Sequence, residues 1–207
     1  MIYLFSEYDK ITPEMEQQLI DKLPPKLREK SLRFRHNGGR ISCILGYLIF
    51  LYGFRNIYKE TALPDFDITA DGKPYLKANP DIHLNISHCN GAAACIFSDM
   101  AVGLDIQDAR QSSLNHISRI CSEEEIIKIT NSTEPDLEFC RIWSVKEALA
   151  KLSGKGIVFK DIKTLSPRGI NINSVFIEPD KYMTSASYDK NADFSIYKLS
   201  LSQLIKL

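Results

Sequence analysis

The first part of the chain carries apolar positions at helical spacing. The pattern predicts a helix over 13–24, because proline follows a threonine N-cap and further prolines end the segment. A second, strongly cationic helix is predicted over 26–34. The Gly38-Gly39 pair predicts a break before an apolar helix over 41–54, whose uncharged run falls short of the roughly 20 residues that cross a bilayer. We therefore expect a buried core helix there.

The middle of the chain changes to the alternating pattern of strands. Prolines and glycines make 61–82 loop-like, and the alternation of 82–87 predicts a strand that runs into a turn at 88–91. Two further strands are predicted over 92–97 and 101–106, joined by a tight polar turn. The helical first part is thus followed by a segment rich in strands.

The last part of the chain repeats the order of helices followed by strands. Ser122 and Glu125 stand three apart, as in a capping box, and predict the start of a helix. A long helix is predicted over 137–152, with Gly154 beyond its end. Alternating runs on either side of a polar turn predict a hairpin over 182–201. Helices and then strands, twice over, indicate an α+β fold and favour two similar halves.

Composition narrows the class of protein. The 207 residues carry 26 Lys+Arg and 26 Asp+Glu, a formal net charge of zero, which argues against a generally basic nucleic-acid binder. Hydrophobic residues make up 44% and charged residues 25%, so a buried core is expected and disorder is not. The five cysteines form no C-x-x-C pair, and the N-terminus lacks a basic and apolar signal segment. We expect a cytoplasmic protein with reduced thiols and without a zinc knuckle.

One candidate for chemistry is the strand over 101–106 and the residue that follows it. Its period of two puts Gly103, Asp105 and Gln107 on one face, opposite three apolar side chains. A carboxylate and an amide beside a glycine would allow a cation or a phosphate to approach closely. The alternative is an aspartate that is solvated or caps a turn, which is the commoner case for such a residue alone.

A second candidate is the helix over 137–152. Ser144, Glu147 and Lys151 fall on one face, away from the apolar stripe. Lys146 is rotated from Glu147 by about 100° and should point elsewhere. For this helix alone, the simpler interpretation is an ordinary Glu–Lys pair worth roughly 0.3–0.5 kcal/mol.

A third candidate is an imbalance of charge between residues 22 and 40. One acid, Glu29, stands among seven basic residues: Lys22, Lys26, Arg28, Lys30, Arg33, Arg35 and Arg40. The pattern is typical of a solvated helix face, and the alternative is a cradle for a phosphate-bearing ligand.

Taken together, these segments resemble the signature of the 4′-phosphopantetheinyl transferases, and of their large, Sfp-type group in particular. The G-L-D sequence at 103–105, followed by W-S-x-K-E-A-x-x-K at 143–151, is the specific part of the resemblance. Three other segments agree in order: G-K-P-x-L at 72–76, L-N-I-S-H at 84–88 and the basic stretch at 28–34.

The resemblance implies two similar α+β subdomains in a pseudo-twofold arrangement, 1–100 and 101–207, with coenzyme A in the cleft between them. The implied reaction moves the 4′-phosphopantetheine arm of coenzyme A to a serine hydroxyl of an apo acyl or peptidyl carrier protein. Adenosine 3′,5′-bisphosphate is the other product, and Mg²⁺ is the expected ion. Nucleic acid and membranes are not expected as partners, and a single chain would complete its own site as a monomer.

The resemblance also assigns roles to residues. Asp105 and Glu147 are expected to bind the metal, Glu147 to act as general base and Lys151 to contact a diphosphate oxygen. The other expected contacts to coenzyme A are Lys30, His88 and Arg40 at phosphates, and Lys73, Pro74 and Ser87 at the nucleotide end. Four ring side chains are expected to be structural: His36, His83, His116 and Trp143.

Gln107 departs from the family pattern, since many members have a glutamate at this position. It is a poorer magnesium ligand than a carboxylate, and a water is expected to complete the coordination. A second hypothesis follows, a coenzyme A- or carrier-binding protein without turnover whose metal site is vestigial. A third, an unrelated α+β domain with chance motifs, would have to explain five matching segments in order.

The segment over 110–121 is a candidate for docking the carrier. The apolar contacts would come from Leu114, Ile117 and Ile120. Arg110 and Arg119 would steer an acidic partner. The alternative is a simple connection between two motifs.

Overall fold

The computed structural model of the protein describes residues 1–34, 37–60, 64–69, 73–158 and 161–207. Arg35, His36 and Gly72 of the G-K-P segment lie outside the described residues. Within those ranges the helices are α1 (Pro13–Asp21), α2 (Pro25–Leu32), α3 (Asn37–Tyr58), α4 (Leu114–Ile120), α5 (Glu123–Asn131), α6 (Pro135–Ser153) and α7 (Leu201–Ile205). The strands are β1 (Ile2–Phe5), β2 (Phe66–Ile68), β3 (Pro74–Leu76), β4 (His83–Cys89), β5 (Ala92–Ser98), β6 (Val102–Asp108), β7 (Asn171–Glu178), β8 (Lys181–Ser187) and β9 (Ile196–Lys198).

The strands form two larger sheets and a separate pair. The first sheet has the order β4-β5-β1-β9, the second has the order β6-β8-β7, and β2 pairs with β3. On β1, Tyr3 and Phe5 belong to the core beneath α3, whereas Ile2 and Leu4 belong to the core shared with β6. The first sheet is therefore buried on both faces, and the expected α+β class is confirmed.

Helix α3 covers one face of the first sheet. Leu48 is fully buried there, and Gly53 permits close contact, because a Cβ at this position would collide with the rings of Tyr3 and Phe97. By length and composition alone, Gly38–Tyr58 could cross a membrane, but 61% of its most apolar window is buried inside the protein. The expected buried core helix is thus present, and it is longer than the apolar run predicted.

Helix α6 covers the second sheet along β6. Gly103 makes this contact possible, since a Cβ there would collide with the carbonyl oxygen of Ala148 on α6. Between α6 and β8, the hydroxyl groups of Ser144 and Thr184 lie 2.7 Å apart and share a hydrogen bond. Gly103 therefore allows α6 to pack closely against β6. The sequence had suggested that this glycine allows a ligand to approach.

The predicted helix boundaries are confirmed where the sequence supplies a cap. Pro13 is the first residue of α1, and the side chain of Thr12 caps it. Ser122 and Glu125 form both hydrogen bonds of a capping box at α5. Gly154 ends α6 with a φ of 74°, in the left-handed region.

Other local predictions are wrong. The Gly38-Gly39 pair lies inside the first turn of α3, because glycine near a helix start still adopts helical backbone when the following residues are buried. The segment 61–82 contains the paired strands β2 and β3. Strand β4 continues through His88 and Cys89, and the turn is confined to the two residues that follow, where Gly91 has a φ of 87°.

The hairpin predicted over 182–201 is also wrong. Strand β8 pairs with β6 and β7 in the second sheet, whereas β9 pairs in parallel with β1 in the first. Residues 196–205, which the division at 100/101 assigned to the second half, thus lie with the first sheet. Alternation fixes which side chains face a core but not which strand lies alongside. The pseudo-twofold relation of the halves stays a prediction.

Candidate active site

A buried cluster of polar side chains lies where β4, β6 and α6 meet. Asp105 is 1% exposed, and its Oδ1 accepts hydrogen bonds from Ser87 Oγ at 2.8 Å and from Lys151 Nζ at 2.6 Å. Ser87 Oγ in turn accepts from Lys151 Nζ at 2.9 Å and from the Ile106 amide at 3.2 Å. Three segments that are distant in the sequence therefore converge on one carboxylate.

Glu147 completes this group, which we call the carboxylate cluster (Ser87, Asp105, Glu147 and Lys151). Its Oε2 lies 3.8 Å from Lys151 Nζ, one turn further along α6. Burial first, and then the negative charge of Asp105, raise the pKa of Glu147 from 4.5 to about 7, while Lys151 opposes the rise. The structure thus joins the two residues that helical spacing put on one face, and it gives Glu147 a pKa suited to proton exchange near neutrality.

Gln107 faces the same aspartate from the other side. Its Nε2 donates to Asp105 Oδ2 at 2.9 Å, and its backbone carbonyl accepts from the Cys140 thiol at 3.3 Å. Both oxygens of Asp105 therefore have protein donors. Gln107 orients Asp105 in this arrangement, and a role for it at a metal stays a prediction.

A divalent cation would find two carboxylates in the cluster, those of Asp105 and Glu147. Among the described residues, no group of three or more His, Cys, Asp and Glu side chains gathers at one point. The buried carboxylate of Asp105 and the half-buried carboxylate of Glu147 nevertheless need a neighbouring cation, and the ammonium group of Lys151 lies beside both. Mg²⁺ takes one or two carboxylates and keeps several waters, so the donor set fits this ion. An ion there would release Lys151 for an anionic ligand.

His88 lies at the edge of the cluster, next to Ser87 on β4. Its side chain reaches solvent, yet the surrounding protein removes enough water to lower the pKa of the imidazole, and the charge of Lys151 lowers it further. The neutral ring is thereby favoured at pH 7, and it can donate a hydrogen bond to a phosphate. The contact of His88 with a phosphate stays a prediction, and the position of the ring beside Lys151 is suited to such a contact.

A cavity of about 250 Å³, which we call the Lys73 cavity, opens beside Glu147 and Lys151. Lys73 and Pro74 line it, and the Lys73 ammonium donates to the carbonyl oxygens of Val102 at 3.4 Å and Lys151 at 3.3 Å. Burial lowers the pKa of Lys73. Lys73 therefore joins the end of α6 to the start of β6, at the wall where the sequence predicts the nucleotide.

Asn85 lines the same cavity and was missed by the sequence-based assignment. Its side chain is 4% exposed, and its Oδ1 is buried without a hydrogen-bond partner in the part of the chain that the structure describes. Such an unsatisfied acceptor is rare and indicates a donor that the protein does not supply. The signal was available, since Asn85 shares a face of β4 with Ser87, two residues on.

The two cations of the basic segment that are expected at phosphates differ in their partners. Lys30 Nζ donates to the Tyr47 hydroxyl at 2.9 Å, and it lines a cavity of about 580 Å³ beside α2 and α3. Arg40 Nε instead donates to Glu16 Oε1 at 2.7 Å. Lys30 is therefore bonded to a neutral hydroxyl group, whereas Arg40 is paired with a carboxylate.

A second cavity, of about 230 Å³, lies on the Gln107 side of the cluster. We call it the Trp143 cavity, because Trp143 and His116 form part of its wall, with ring centroids 6.5 Å apart. Burial raises the pKa of Cys89 to about 12 and that of Cys140 to about 11, so both thiols in this wall stay protonated. The cluster itself borders the Lys73 cavity through Glu147 and Lys151, whereas its neighbours His88 and Gln107 line the Trp143 cavity.

Helix α4 carries the segment predicted to dock a carrier. Leu114 is 78% exposed, but Ile117 is only 7% exposed and Ile120 is fully buried with side chains of α5 and α6. The expectation that Ile117 and Ile120 offer exposed apolar contacts is therefore wrong, because α4 needs that face to pack against its neighbours. Leu114 alone remains available at the surface.

Comparisons with known proteins match this chain to one family of transferases. A family model described as the 4′-phosphopantetheinyl transferase superfamily matches residues 101–198. The chain is 28% identical over 150 residues to 4′-phosphopantetheinyl transferase Sfp of Bacillus subtilis (strain 168), covering 71% of this chain and 67% of that protein. It is 29% identical over 157 residues to 4′-phosphopantetheinyl transferase psf-1 of Bacillus pumilus, covering 73% and 66%.

A further 4′-phosphopantetheinyl transferase of Bacillus subtilis is 28% identical over 146 residues, which cover 69% of this chain and 65% of that protein. The matched region thus spans 65% to 67% of the length of these three relatives. Asp105, Glu147 and Lys151 all fall inside the part that the family model matches.

Proposed function

We propose that the chain is an Sfp-type member of the 4′-phosphopantetheinyl transferase superfamily and that it transfers the 4′-phosphopantetheine arm of coenzyme A to a serine of an apo carrier protein. The observation that carries the proposal is the carboxylate cluster. It gathers the carboxylates of Asp105 and Glu147 and the ammonium group of Lys151, from β6 and α6, beside the Lys73 cavity. This arrangement suits a reaction in which the charge of a diphosphate must be neutralised and its groups aligned.

Magnesium is part of the proposal. Asp105 and Glu147 would hold the ion, which when bound supplies neutralisation of the diphosphate charge. The support is the pair of buried carboxylates itself, since the charge of Asp105 contributes to the raised pKa of Glu147 and a divalent cation relieves that repulsion.

Lys151 and His88 are proposed to bind and orient the diphosphate. Lys151 exchanges its contact with Asp105 for a diphosphate oxygen, as a compact point charge, and neutral His88 donates a hydrogen bond. The other proposed contacts to coenzyme A are Lys30 and Arg40 at a phosphate, and Lys73, Pro74 and Ser87 at the nucleotide end.

The proposed chemical step is a displacement at phosphorus. Glu147 takes the proton of the carrier serine hydroxyl while that oxygen bonds to the phosphorus that bears pantetheine. The bond from this phosphorus to the bridging oxygen breaks, and adenosine 3′,5′-bisphosphate leaves with the electron pair. Glu147 suits the role of base by its place, because it lines the Lys73 cavity beside Lys151, the residue proposed to bind the diphosphate.

The carrier is the proposed protein partner, and α4 is part of its proposed docking surface. His116 of α4 lines the Trp143 cavity, so a carrier seated on exposed Leu114 would present its serine near an opening to the cluster. Arg110 and Arg119 would steer an acidic carrier. We also propose a monomer in the cytoplasm without nucleic-acid or membrane partners, and the free, buried cysteines suit a reducing compartment.

The test is transfer to purified apo carriers from fatty-acid, polyketide and nonribosomal-peptide systems. Incubation with this protein, coenzyme A and Mg²⁺ should raise the mass of at least one carrier by one phosphopantetheinyl group. A carrier whose serine is replaced by alanine is the control and should keep its mass. Binding of coenzyme A without modification of any carrier would contradict the proposal.

A second function, binding of coenzyme A or a carrier without turnover, is favoured by one observation. Both oxygens of Asp105 have protein donors, from Lys151 and Gln107, and an aspartate so occupied is a weak metal ligand. Gln107→Glu separates the two functions. If the metal site is vestigial, this variant should gain transfer that the wild type lacks, whereas in an active enzyme it should only change the dependence of the rate on Mg²⁺.

A further inference from the structure

Lys146 is a buried lysine outside the carboxylate cluster. Its side chain is 1% exposed, and its Nζ lies 3.0 Å from Glu125 Oε2, 2.9 Å from the carbonyl oxygen of Ile162 and 3.4 Å from that of Lys163. The three hydrogens of the ammonium group therefore have three acceptors. A buried cation with all its donors used fixes the groups around it.

The side chain of Lys146 leaves α6 in a different direction from that of its neighbour Glu147, since a helix turns by about 100° per residue. Its partner Glu125 belongs to the capping box of α5 and accepts from the Ser122 amide at 2.8 Å through the same oxygen. Lys146 thus joins the middle of α6 to the start of α5 and to the short turn Ile162–Thr164.

The carbonyl groups that Lys146 binds lie at the far end of the segment that follows α6. At the near end, Gly154, Gly156 and Ile157 line the Lys73 cavity together with residues of the carboxylate cluster. Ile162, at the far end, is fully buried. Lys146 therefore fastens one end of a segment whose other end forms a wall of the cavity.

Helix α6 has other contacts that fix its own position. Gly103 seats the α6 backbone against β6, because a side chain there would collide with backbone atoms of Ala148 and Leu152. The hydroxyl group of Ser144 is bonded to that of Thr184 at 2.7 Å. Loss of Lys146 should therefore loosen the segment after α6 more than the residues on the helix.

We propose that Lys146 is a positioning residue: by binding the carbonyl groups of Ile162 and Lys163, it keeps the preceding residues, among them Gly154, Gly156 and Ile157, in place as a wall of the Lys73 cavity and thereby sets the affinity for coenzyme A. The inference rests on the proposed function in naming coenzyme A as the occupant of this cavity. Lys146 itself contacts neither the substrate nor the reacting atoms.

Lys146→Met in the full chain tests this role, because methionine keeps most of the alkyl volume and removes the donors. We expect the Kd for coenzyme A, measured by calorimetry without a carrier, to rise about tenfold through misplacement of the wall. Amide hydrogen exchange should accelerate over residues 155–158 and stay slow along α6. The kcat at saturating coenzyme A should stay close to that of the wild type.

Two control variants separate positioning from a general loss of stability. Lys163→Met removes an exposed cation from the same turn and should leave the Kd unchanged. Glu125→Gln keeps an acceptor for the capping box and leaves Lys146 bonded to both carbonyl groups, so it should lower Tm without changing the Kd. If Lys146→Met does not fold, the double variant Lys146→Met/Glu125→Gln leaves no unpaired buried charge and is measured in its place.

An unchanged Kd in Lys146→Met, or in the double variant, would overturn the proposal. Equal increases in Kd for Lys146→Met and Glu125→Gln would also overturn it, as would faster exchange spread along α6. Failure of the proposed function has a different signature: the wild type would bind coenzyme A and modify no carrier, while a weaker Kd in Lys146→Met would still support the role of Lys146.

Discussion

Two ion pairs in this molecule each join a basic side chain to a carboxylate and differ in their surroundings. In the carboxylate cluster, Lys151 Nζ lies 2.6 Å from Asp105 Oδ1, and the side chain of Asp105 is 2% exposed. In the basic segment of the first half, Arg33 lies 2.7 Å from Glu29, and these side chains are 74% and 70% exposed. The N–O distances of the two pairs are nearly the same, but only the first pair has a carboxylate that is buried.

The difference shows that a count of charges along the chain does not locate a site. The excess of cations over 22–40 is reduced in space by Glu16 and Asp21, which precede that range and pair with Arg40 and Arg28. Exposed pairs contribute roughly 0–1 kcal/mol each, because water screens them. The buried carboxylates have a larger effect, since their proximity helps to raise the pKa of Glu147 to about 7.

The largest expected effect comes from Glu147→Gln. The amide cannot accept the serine proton, so we expect kcat for carrier modification to fall by about 10³-fold while coenzyme A still binds. Mass spectrometry of the carrier and calorimetry with coenzyme A measure the two quantities. Glu29→Gln makes the same change in the exposed pair and should leave both kcat and the binding of coenzyme A unchanged. Wild-type transfer by Glu147→Gln would remove this residue from the mechanism.

The buried carboxylates should also make stability depend on pH when divalent ions are removed. Because the pKa of Glu147 is raised from 4.5 to about 7, the folded protein holds this proton more tightly than the unfolded chain does. Its stabilising contribution is complete below pH 4.5 and is lost as the pH rises through 7. The free energy of unfolding should therefore fall by about 1–3 kcal/mol from this group.

Denaturant unfolding in EDTA, for the wild type and Glu147→Gln across this pH range, measures that contribution as the difference between the two curves. Glu147→Gln should lack it, and Mg²⁺ should restore stability to the wild type at the upper end of the range. Parallel curves for the two proteins would show that Glu147 is not destabilised by its surroundings.

Within the basic segment, the partners of each cation predict which one matters. Lys30 is bonded to the neutral Tyr47 hydroxyl, so Lys30→Ala should raise the KM for coenzyme A about tenfold, or about 1.4 kcal/mol. Arg33→Ala removes a cation that already has a carboxylate partner and should change this KM little. Steady-state kinetics at saturating carrier decide between them. Equal increases in this KM for Lys30→Ala and Arg33→Ala would mean that the segment attracts coenzyme A through its overall positive charge and not through one contact.

The smallest expected effect lies on the docking surface. Leu114→Ser should raise the KM for the carrier a few-fold through lost apolar contact and leave the Kd for coenzyme A unchanged. Ile127→Ser is the matched control, because Ile127 is 59% exposed on the neighbouring helix α5. A carrier KM that responds to Ile127 and not to Leu114 would move the docking surface away from α4.

The residues of the cluster could be predicted from the sequence where one element carries them. The period of a strand put Asp105 and Gln107 on one face, and the period of a helix did the same for Glu147 and Lys151. The contact between Ser87 and Asp105 could not be derived in this way, because β4 and β6 belong to different sheets. The resemblance to a family grouped these residues without giving their geometry.

The fold was predictable at its capped helix ends and not in its strand pairing. Thr12 and Ser122 marked helix starts because a cap acts within one turn. The pairing of β9 with β1 depends on contacts between the two ends of the chain, which no local pattern encodes. Lys146 was expected to point away from Glu147, but its partners come from segments on either side of α6 and could not be named.

The central claim is that the carboxylate cluster carries out phosphoryl transfer from coenzyme A. The most direct measurement is the amount of adenosine 3′,5′-bisphosphate released, quantified by chromatography beside the amount of carrier modified. One nucleotide should be released for each carrier serine modified by the wild type, and neither product should rise above background with Glu147→Gln. Coenzyme A that binds to the wild type and remains intact in the presence of apo carriers and Mg²⁺ would exclude phosphoryl transfer by the cluster.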